Sequence, residues 1–303
     1  MLPGYVVLNK KQGQRVVLWA LVAAYTIALP NAIFVYNTIV KHFSTVIASK
    51  VPLVIIILFG ITYIVFSFLS KKRIKFLWFI IPCVIIVYIV ISFEPNPSKH
   101  IHIPEYILFS WILFEALSID YRGKGIYILL FICASMLGIV DELQQGIYPE
   151  RFYGLNDMVI NSTSVVIGVL TLMGLRSAPG GDWIWISHFR RFKESLGIIL
   201  FGGIGAAFLC VYLFDVKEAR VFWVVYPFWL IVWNCLFLVL GPAAIFYNIR
   251  RLHEQGDDLN DKKVLDHHGS GITAHLWILS IITILFVIHA LVVFVGMSGW
   301  EFN

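Results

Sequence analysis

Residues 51–70 read VPLVIIILFGITYIVFSFLS, twenty consecutive positions without a charged side chain. An α-helix rises about 1.5 Å per residue, so about 20 apolar residues are needed to cross the hydrocarbon layer of a membrane, which is roughly 30 Å thick. This stretch therefore predicts a membrane-spanning helix.

The rest of the chain has the same character. Of its residues 59% are hydrophobic and 14% are charged, whereas about 25% are charged in soluble domains. Nine apolar runs are candidate spans, and the fourth and fifth are short: 16–37, 51–70, 76–93, 103–119, 125–141, 155–175, 196–214, 221–247 and 273–297. The sequence thus predicts an all-α polytopic transmembrane bundle of about nine spans.

The distribution of basic residues predicts its orientation. With nine spans, 17 of the 23 Lys and Arg residues fall in segments on the same side as the N-terminus. Because cytoplasmic loops carry the excess of Lys and Arg, the N-terminus is predicted to be cytoplasmic and the C-terminus outside. Within the first run, Pro30 and Asn31 predict a kink or local opening unless a neighbour satisfies the freed backbone.

Three blocks follow along the chain. Residues 1–175 hold the first six runs, and residues 196–303 form an additional three-span membrane module. Between them, residues 176–195 mix aromatic and basic side chains. This connector fits an amphipathic helix at the membrane interface, and an ordinary cytoplasmic connector fits it equally well.

A cluster of polar residues interrupts the fourth, fifth and sixth runs near their ends. Its members are Lys99, His102, Tyr106, Asp141, Glu142, Gln145, Arg151, Asp157 and Asn161. Polar and ionisable side chains near hydrocarbon usually face a partner or a wet cavity, and they often mark function. The cluster is therefore the candidate functional site.

Helix spacing predicts how parts of this cluster are arranged. Asp157, Asn161, Ser164 and Gly168 fall on one narrow stripe of a helix, because their offsets are close to whole turns. Small residues at the last two positions let another helix approach closely, so the stripe is predicted to face the bundle interior.

The carboxylates near the end of the fifth run predict a compensating cation. Asp141 and Glu142 are adjacent there, and negative charge at a helix C-terminus opposes the helix dipole. Lys99, Arg151 or protonated His102 could supply the positive charge.

The spacing of the cluster resembles the VanZ-like membrane protein family. The matching pattern is Ser98-Lys99-x-x-His102-x-x-x-Tyr106, then Asp141-Glu142-x-x-Gln145, then Arg151, Asp157, Asn161 and Gly168. Ser98 and Ser164 depart from it, since the family has aspartate and glycine there. The resemblance covers residues 98–168 and implies a multi-pass protein of the bacterial inner (plasma) membrane. The family is named after a protein linked to teicoplanin resistance, and its members have no agreed biochemical activity.

These observations lead to a first hypothesis of an outward-facing polar pocket that binds an anionic lipid headgroup or a cell-envelope precursor. Lys99 and Arg151 would contact the anion, since arginine can grip a phosphate with two parallel hydrogen bonds. Glu142 and His102 would be the acid and base if the protein catalyses a reaction. The remaining members would complete the binding set and hold it in place: Tyr106, Gln145, Asp141, Asp157 and Asn161.

The competing hypothesis is a non-catalytic scaffold. Here the polar cluster locks three helices together, and the last three spans dock the protein with other integral membrane subunits. A transporter is a third class, but no paired broken helices mark inverted repeats. No cofactor, metal or nucleic-acid partner is predicted. His275 and His289 lie on the ninth run at a spacing that two haems could use, but no confidently placed facing run offers partner histidines.

Overall fold

The computed structural model of the protein describes residues 10–69, 77–121, 123–149, 151–175, 185–256 and 265–300. This part of the chain is helical almost throughout and contains no β-strand. The predicted connector 176–195 lies largely outside the described residues, because only its backbone from Trp185 onward is included, with side chains from Glu194 onward.

The helices follow one another with short connections. In the first part of the chain they are α1 (Lys10–Ala28), α2 (Ala32–His42), α3 (Thr45–Leu69), α4 (Leu77–Tyr88), α5 (His102–Ser118), α6 (Ile126–Gly146) and α7 (Leu155–Leu175). In the second part they are α8 (Trp185–Ala219), α9 (Phe222–Val225), α10 (Phe228–Gly256) and α11 (Leu265–Ser298).

Seven helical segments of the described chain are long and apolar enough to cross a membrane: Gln12–Asn31, Thr45–Leu69, Ile126–Gly146, Leu155–Leu175, Glu194–Ala219, Phe228–Tyr247 and Leu276–Ser298. The all-helical, multi-pass class is therefore confirmed. The third predicted span is the shorter apolar helix Trp78–Phe93, and the fourth is α5 with 17 residues. The total of nine spans and the side of the N-terminus stay predictions.

The fifth span is longer than its apolar run. Its run stops at residue 141, whereas α6 continues to Gly146 and has 21 residues. Hydropathy ends the segment where charged residues begin, but Asp141, Glu142 and Gln145 are all buried against other helices. Packing thus extends the helix beyond the point at which composition alone would end it.

The kink predicted at Pro30 is present. A 3₁₀ turn at Leu29–Asn31 separates α1 from α2, as expected where proline lacks the N–H that continues a helix. The Pro30 carbonyl accepts a hydrogen bond of 3.2 Å from Arg151 Nη1. A residue of the candidate site therefore bonds the backbone of this turn.

Helices α5, α6 and α7 pack against one another and bury the predicted stripe. Asp157, Asn161 and Ser164 on α7 are all buried. At Gly168 the fit is so close that an added Cβ would lie 2.6 Å from the Ser110 Cβ of α5. The inward orientation and the close helix approach are confirmed.

Helices α8, α10 and α11 pack together, and α8 and α11 also contact α6. In their midst, His289 Nδ1 lies 3.0 Å from Asn234 Oδ1 and His289 Nε2 lies 3.1 Å from the Gly202 carbonyl. Both ring nitrogens thus have protein partners, which disfavours haem ligation by this residue. The side chain of His275 lies outside the described part. Whether residues 196–303 form a separate module stays a prediction.

Candidate functional site

Helices α5 and α6 are joined through Asp141. The Tyr106 hydroxyl, fully buried on α5, donates a 2.8 Å hydrogen bond to Asp141 Oδ2. The Gln145 side-chain amide, one turn further along α6, lies next to the same carboxylate. The i, i+4 spacing expected to bring Asp141 and Gln145 together therefore does so.

Helices α6 and α7 are joined through Glu142. The Asn161 Nδ2 group donates a 2.9 Å hydrogen bond to Glu142 Oε1, and both side chains are buried, with exposed fractions of 0% for Asn161 and 1% for Glu142. This contact places the second carboxylate of the Asp141-Glu142 pair deep between helices. Two adjacent buried carboxylates thus receive their direct hydrogen bonds from neutral donors.

The cations predicted to compensate this pair contact other groups. In the described ranges, no Lys or Arg nitrogen lies within 4.0 Å of a carboxylate oxygen of Asp141 or Glu142. Lys99 Nζ instead lies 3.0 Å from Asp157 Oδ2 and 3.8 Å from Glu94 Oε2. The physical reason is position, because Lys99 lies on the 3₁₀ turn Pro97–Ile101 beside the start of α7.

Two acidic residues of the site escaped the sequence analysis. Glu94 is buried and lies near Lys99, as described above. Glu105 lies one turn after His102, with 3.6 Å between Glu105 Oε2 and His102 Nδ1, which is too long for a good hydrogen bond. The i, i+3 spacing of His102 and Glu105 was a usable signal for the second residue. Glu94 gave no such signal, because its partner Lys99 lies on the separate 3₁₀ turn Pro97–Ile101 and the two residues share no helix.

A lysine from α8 also reaches the site. Lys217 Nζ donates to the carbonyls of Gly146, at 2.9 Å, and of Tyr148 and Arg151. It also lies 5.7 Å from the centre of the Phe152 ring. Gly146 is the last residue of α6, and Tyr148 and Arg151 lie between α6 and α7, so α8 fixes the backbone that carries Arg151. In the sequence, Lys217 counted only as one of the 23 basic residues.

A cavity of about 340 Å³ opens beside these groups, and its lining comes from two stretches of the chain that differ in chemistry, called here its polar side and its apolar side. The polar side comes from residues 98–157 and contains Lys99, His102, Glu105, Gln145, Arg151 and Asp157. The apolar side comes from the turn Leu29–Asn31 and from α2 and α3, with Leu29, Val35, Ile39, Val51, Pro52 and Ile55. Of the nine predicted site residues, five line this cavity, and Tyr106, Asp141, Glu142 and Asn161 are absent from its lining.

Several buried polar atoms at this site have no hydrogen-bond partner. Three belong to residues that line the cavity, namely Gln145 Oε1, Asp157 Oδ1 and His102 Nδ1. All three residues are buried. Buried polar groups are nearly always satisfied in native structures, so these atoms indicate where a ligand or water would bond.

Among the described residues, no group of three or more His, Cys, Asp and Glu side chains is arranged to hold a metal ion. The residues that line the cavity present carboxylate, amide, imidazole, ammonium and guanidinium groups.

Comparison with known proteins gives no further guide, because the chain matches no protein-family model, no curated protein and no solved structure.

Proposed function

We propose that the cavity binds the anionic headgroup of a lipid or of a lipid-linked cell-envelope precursor. In this proposal the site opens on the outer side of a bacterial plasma membrane. The observation that carries it is the division of one cavity into a charged side and an apolar side. An amphipathic molecule matches both surfaces at once, whereas a free ion or a plain hydrocarbon would match only one.

Arg151 and Lys99 are the proposed phosphate contacts. A guanidinium carries five N–H donors, so the bond from Arg151 to the Pro30 carbonyl leaves donors for a phosphate. Lys99 is held at the cavity by Asp157. Hydrogen bonds between a cationic donor and a phosphate are among the stronger hydrogen bonds in proteins. Arginine suits phosphate because its guanidinium can donate two parallel bonds to it.

The other residues divide into contacts and supports. His102 and Gln145 line the cavity and would touch a ligand directly. Glu142 lies behind that surface, bonded to Asn161. Binding is therefore the proposed function, and acid–base chemistry by Glu142 and His102 stays a prediction.

The resemblance to the VanZ-like pattern supports the same site. The residues that carry it come from three separate helices and a turn, yet Lys99 meets Asp157, Tyr106 meets Asp141, and Glu142 meets Asn161. A pattern spread along the chain therefore corresponds to one constellation in space. This convergence favours a shared site over coincidental spacing.

The test compares Arg151→Gln with Lys50→Gln, which removes an exposed cation of α3 that precedes Val51 but does not itself line the cavity. Each protein is placed in phosphatidylcholine nanodiscs with added phosphatidylserine, an anionic phospholipid, and retained lipid is measured by native mass spectrometry. We expect Arg151→Gln to lower affinity at least ten-fold, because a hydrogen bond to a charged group contributes about 1.5–3 kcal/mol. Lys50→Gln should bind like the wild type.

Equal lipid retention by Arg151→Gln and the wild type would contradict the proposal. The thermal midpoint of each variant is measured in parallel. A folded Arg151→Gln protein that binds normally therefore cannot be explained by unfolding.

A second candidate function, the helix lock of a scaffold subunit, is favoured by the same interhelical bonds. Tyr106–Asp141 and Asn161–Glu142 connect α5, α6 and α7 through buried groups. Such bonds average about 0.6 kcal/mol in membrane proteins, so two of them alone would lock a bundle only weakly. Purification in a gentle detergent separates the two functions: a stable multi-subunit complex without bound lipid favours the scaffold.

A further inference from the structure

We infer that the headgroup carries a protonated amine next to its phosphate, as in phosphoethanolamine. This inference rests on the proposed function and names the ligand class that the same cavity would take. Two features of the cavity support it, namely the charged residues in its lining and the buried oxygen acceptors that have no hydrogen-bond donor.

The lining of the cavity contains basic and acidic side chains. Its basic residues are Lys99 and Arg151, and its acidic residues are Glu105 and Asp157. Asp157 Oδ2 lies 3.0 Å from Lys99 Nζ. A ligand that is only anionic would be repelled by a carboxylate such as Asp157, whereas an ammonium group on the ligand would be attracted by it.

The unpartnered atoms point to the same chemistry. Gln145 Oε1 and Asp157 Oδ1 are oxygen acceptors without a donor, and both residues line the cavity. A phosphate has no N–H to offer them, whereas a primary ammonium has three donors. A buried acceptor without a hydrogen bond is destabilising, so a ligand that supplies donors would gain by binding here.

The polar side of the cavity contains both a contact for the phosphate and contacts for the amine. Arg151 and Gln145 line the same cavity, as do Lys99 and Asp157. The phosphate would therefore contact Arg151, and the amine would contact Gln145 and Asp157. The acyl chains would lie against Val35, Ile39 and Ile55 of α2 and α3.

The test uses nanodiscs that contain one added phospholipid with identical acyl chains and one of three headgroups. Phosphatidylethanolamine has both phosphate and N–H donors. Phosphatidylcholine has the same charges without N–H donors, and phosphatidylglycerol has hydroxyl donors without the positive charge. We expect retention of phosphatidylethanolamine at least ten-fold above the other two, measured by native mass spectrometry.

A pair of variants locates the amine. Gln145→Met removes an acceptor of the cavity at similar side-chain volume, and Gln144→Met makes the same change at a half-buried neighbour outside the cavity lining. Gln145→Met should reduce the preference for phosphatidylethanolamine over phosphatidylcholine at least three-fold, while Gln144→Met should leave it unchanged. Thermal midpoints show whether each variant is folded.

The outcomes separate this inference from the proposed function. Preferred retention of phosphatidylglycerol would overturn the amine and leave a binding pocket for an anionic headgroup. Equal retention of phosphatidylcholine and phosphatidylethanolamine would also overturn the requirement for N–H donors. Retention of none of the three lipids would contradict the proposed function itself. A free phosphoethanolamine arm tests the apolar side, since binding as tight as that of the lipid would exclude a role for the acyl chains.

Discussion

Lys217 illustrates how one side chain can organise a site that it does not line. It lies near the end of α8, is 6% exposed, and donates to the carbonyl of Gly146, the last residue of α6, and to the Tyr148 and Arg151 carbonyls that follow. The last carbonyls of a helix have no partner within the helix. Lys217 therefore acts as a C-terminal cap supplied by another helix.

We predict that Lys217→Met will lower the free energy of unfolding by about 2 kcal/mol, because hydrogen bonds to a charged group contribute about 1.5–3 kcal/mol. The measurement is detergent-based denaturation, followed by circular dichroism. Lys50→Met, at an exposed lysine of α3, is the matched control and should change stability little. A Lys217→Met protein as stable as this control would show that the three carbonyl contacts contribute little.

Helices α5 and α7 form the closest contact among the elements that carry the site. An added Cβ at Gly168 would lie 2.6 Å from Ser110 Cβ and 2.8 Å from Ser110 Oγ. The Ser110 hydroxyl donates to the Tyr106 carbonyl one turn earlier. The close approach therefore sets the distance between the Tyr106 side of α5 and the Asn161 side of α7.

We predict that Gly168→Ala will destabilise the bundle by about 1–3 kcal/mol, the usual cost of overpacking a core. Gly60→Ala on α3 is the control, because an added Cβ there meets nothing within 4 Å. Alanine is also the better helix former by about 0.5–1 kcal/mol, so this control should be neutral or stabilising. Thermal denaturation of both variants in detergent measures the difference.

A second-site change checks the physical reason for this effect. Ser110→Gly removes the side chain that an alanine at position 168 would meet. The double variant should therefore recover part of the stability lost in Gly168→Ala. Without any recovery, the contact between these two positions would not be the cause.

The two ends of the whole molecule carry different charge networks. At one end, Arg15 of α1 pairs with Asp120 after α5. At the other, Lys99 pairs with Asp157, and Lys217 binds the backbone that carries Arg151. Arg15 and Pro30 are separated by about 22 Å of α1 and its turn, at 1.5 Å per residue. The candidate site is therefore remote from the Arg15 end.

Charge asymmetry leads us to expect the Arg15 end in the cytoplasm. Gln14→Cys and Glu218→Cys place exposed thiols near Arg15 and Lys217. A membrane-impermeant maleimide should label Glu218→Cys in intact cells and Gln14→Cys only after permeabilisation. The wild-type protein gives the background level of labelling, because its described cysteines lie within apolar helices. Labelling of Gln14→Cys alone in intact cells would place the N-terminus outside. Equal labelling of both variants in intact cells would show that the two positions do not lie on opposite sides of the membrane.

Local pattern predicted much of the fold and part of the site. Apolar runs predicted helices, Pro30 predicted the turn between α1 and α2, and the spacing from Asp157 to Gly168 predicted a buried face. These features depend on composition and helical periodicity within a few turns. The same information placed Asp141 and Gln145 within reach of one another.

The tertiary structure decided which groups became partners. Lys99 pairs with Asp157, 58 positions later along the chain, and Lys217 caps α6 from 71 positions beyond Gly146. Glu94 and Glu105 joined the site, while Asp141 and Glu142 received neutral donors where a cation was expected. The sequence by itself determined a helical membrane protein with a polar cluster, because hydrophobicity and helix period are local. Partner choice and the two-sided cavity depend on how α2, α3 and α8 pack around α5–α7, and such long-range packing leaves no periodic trace in the sequence.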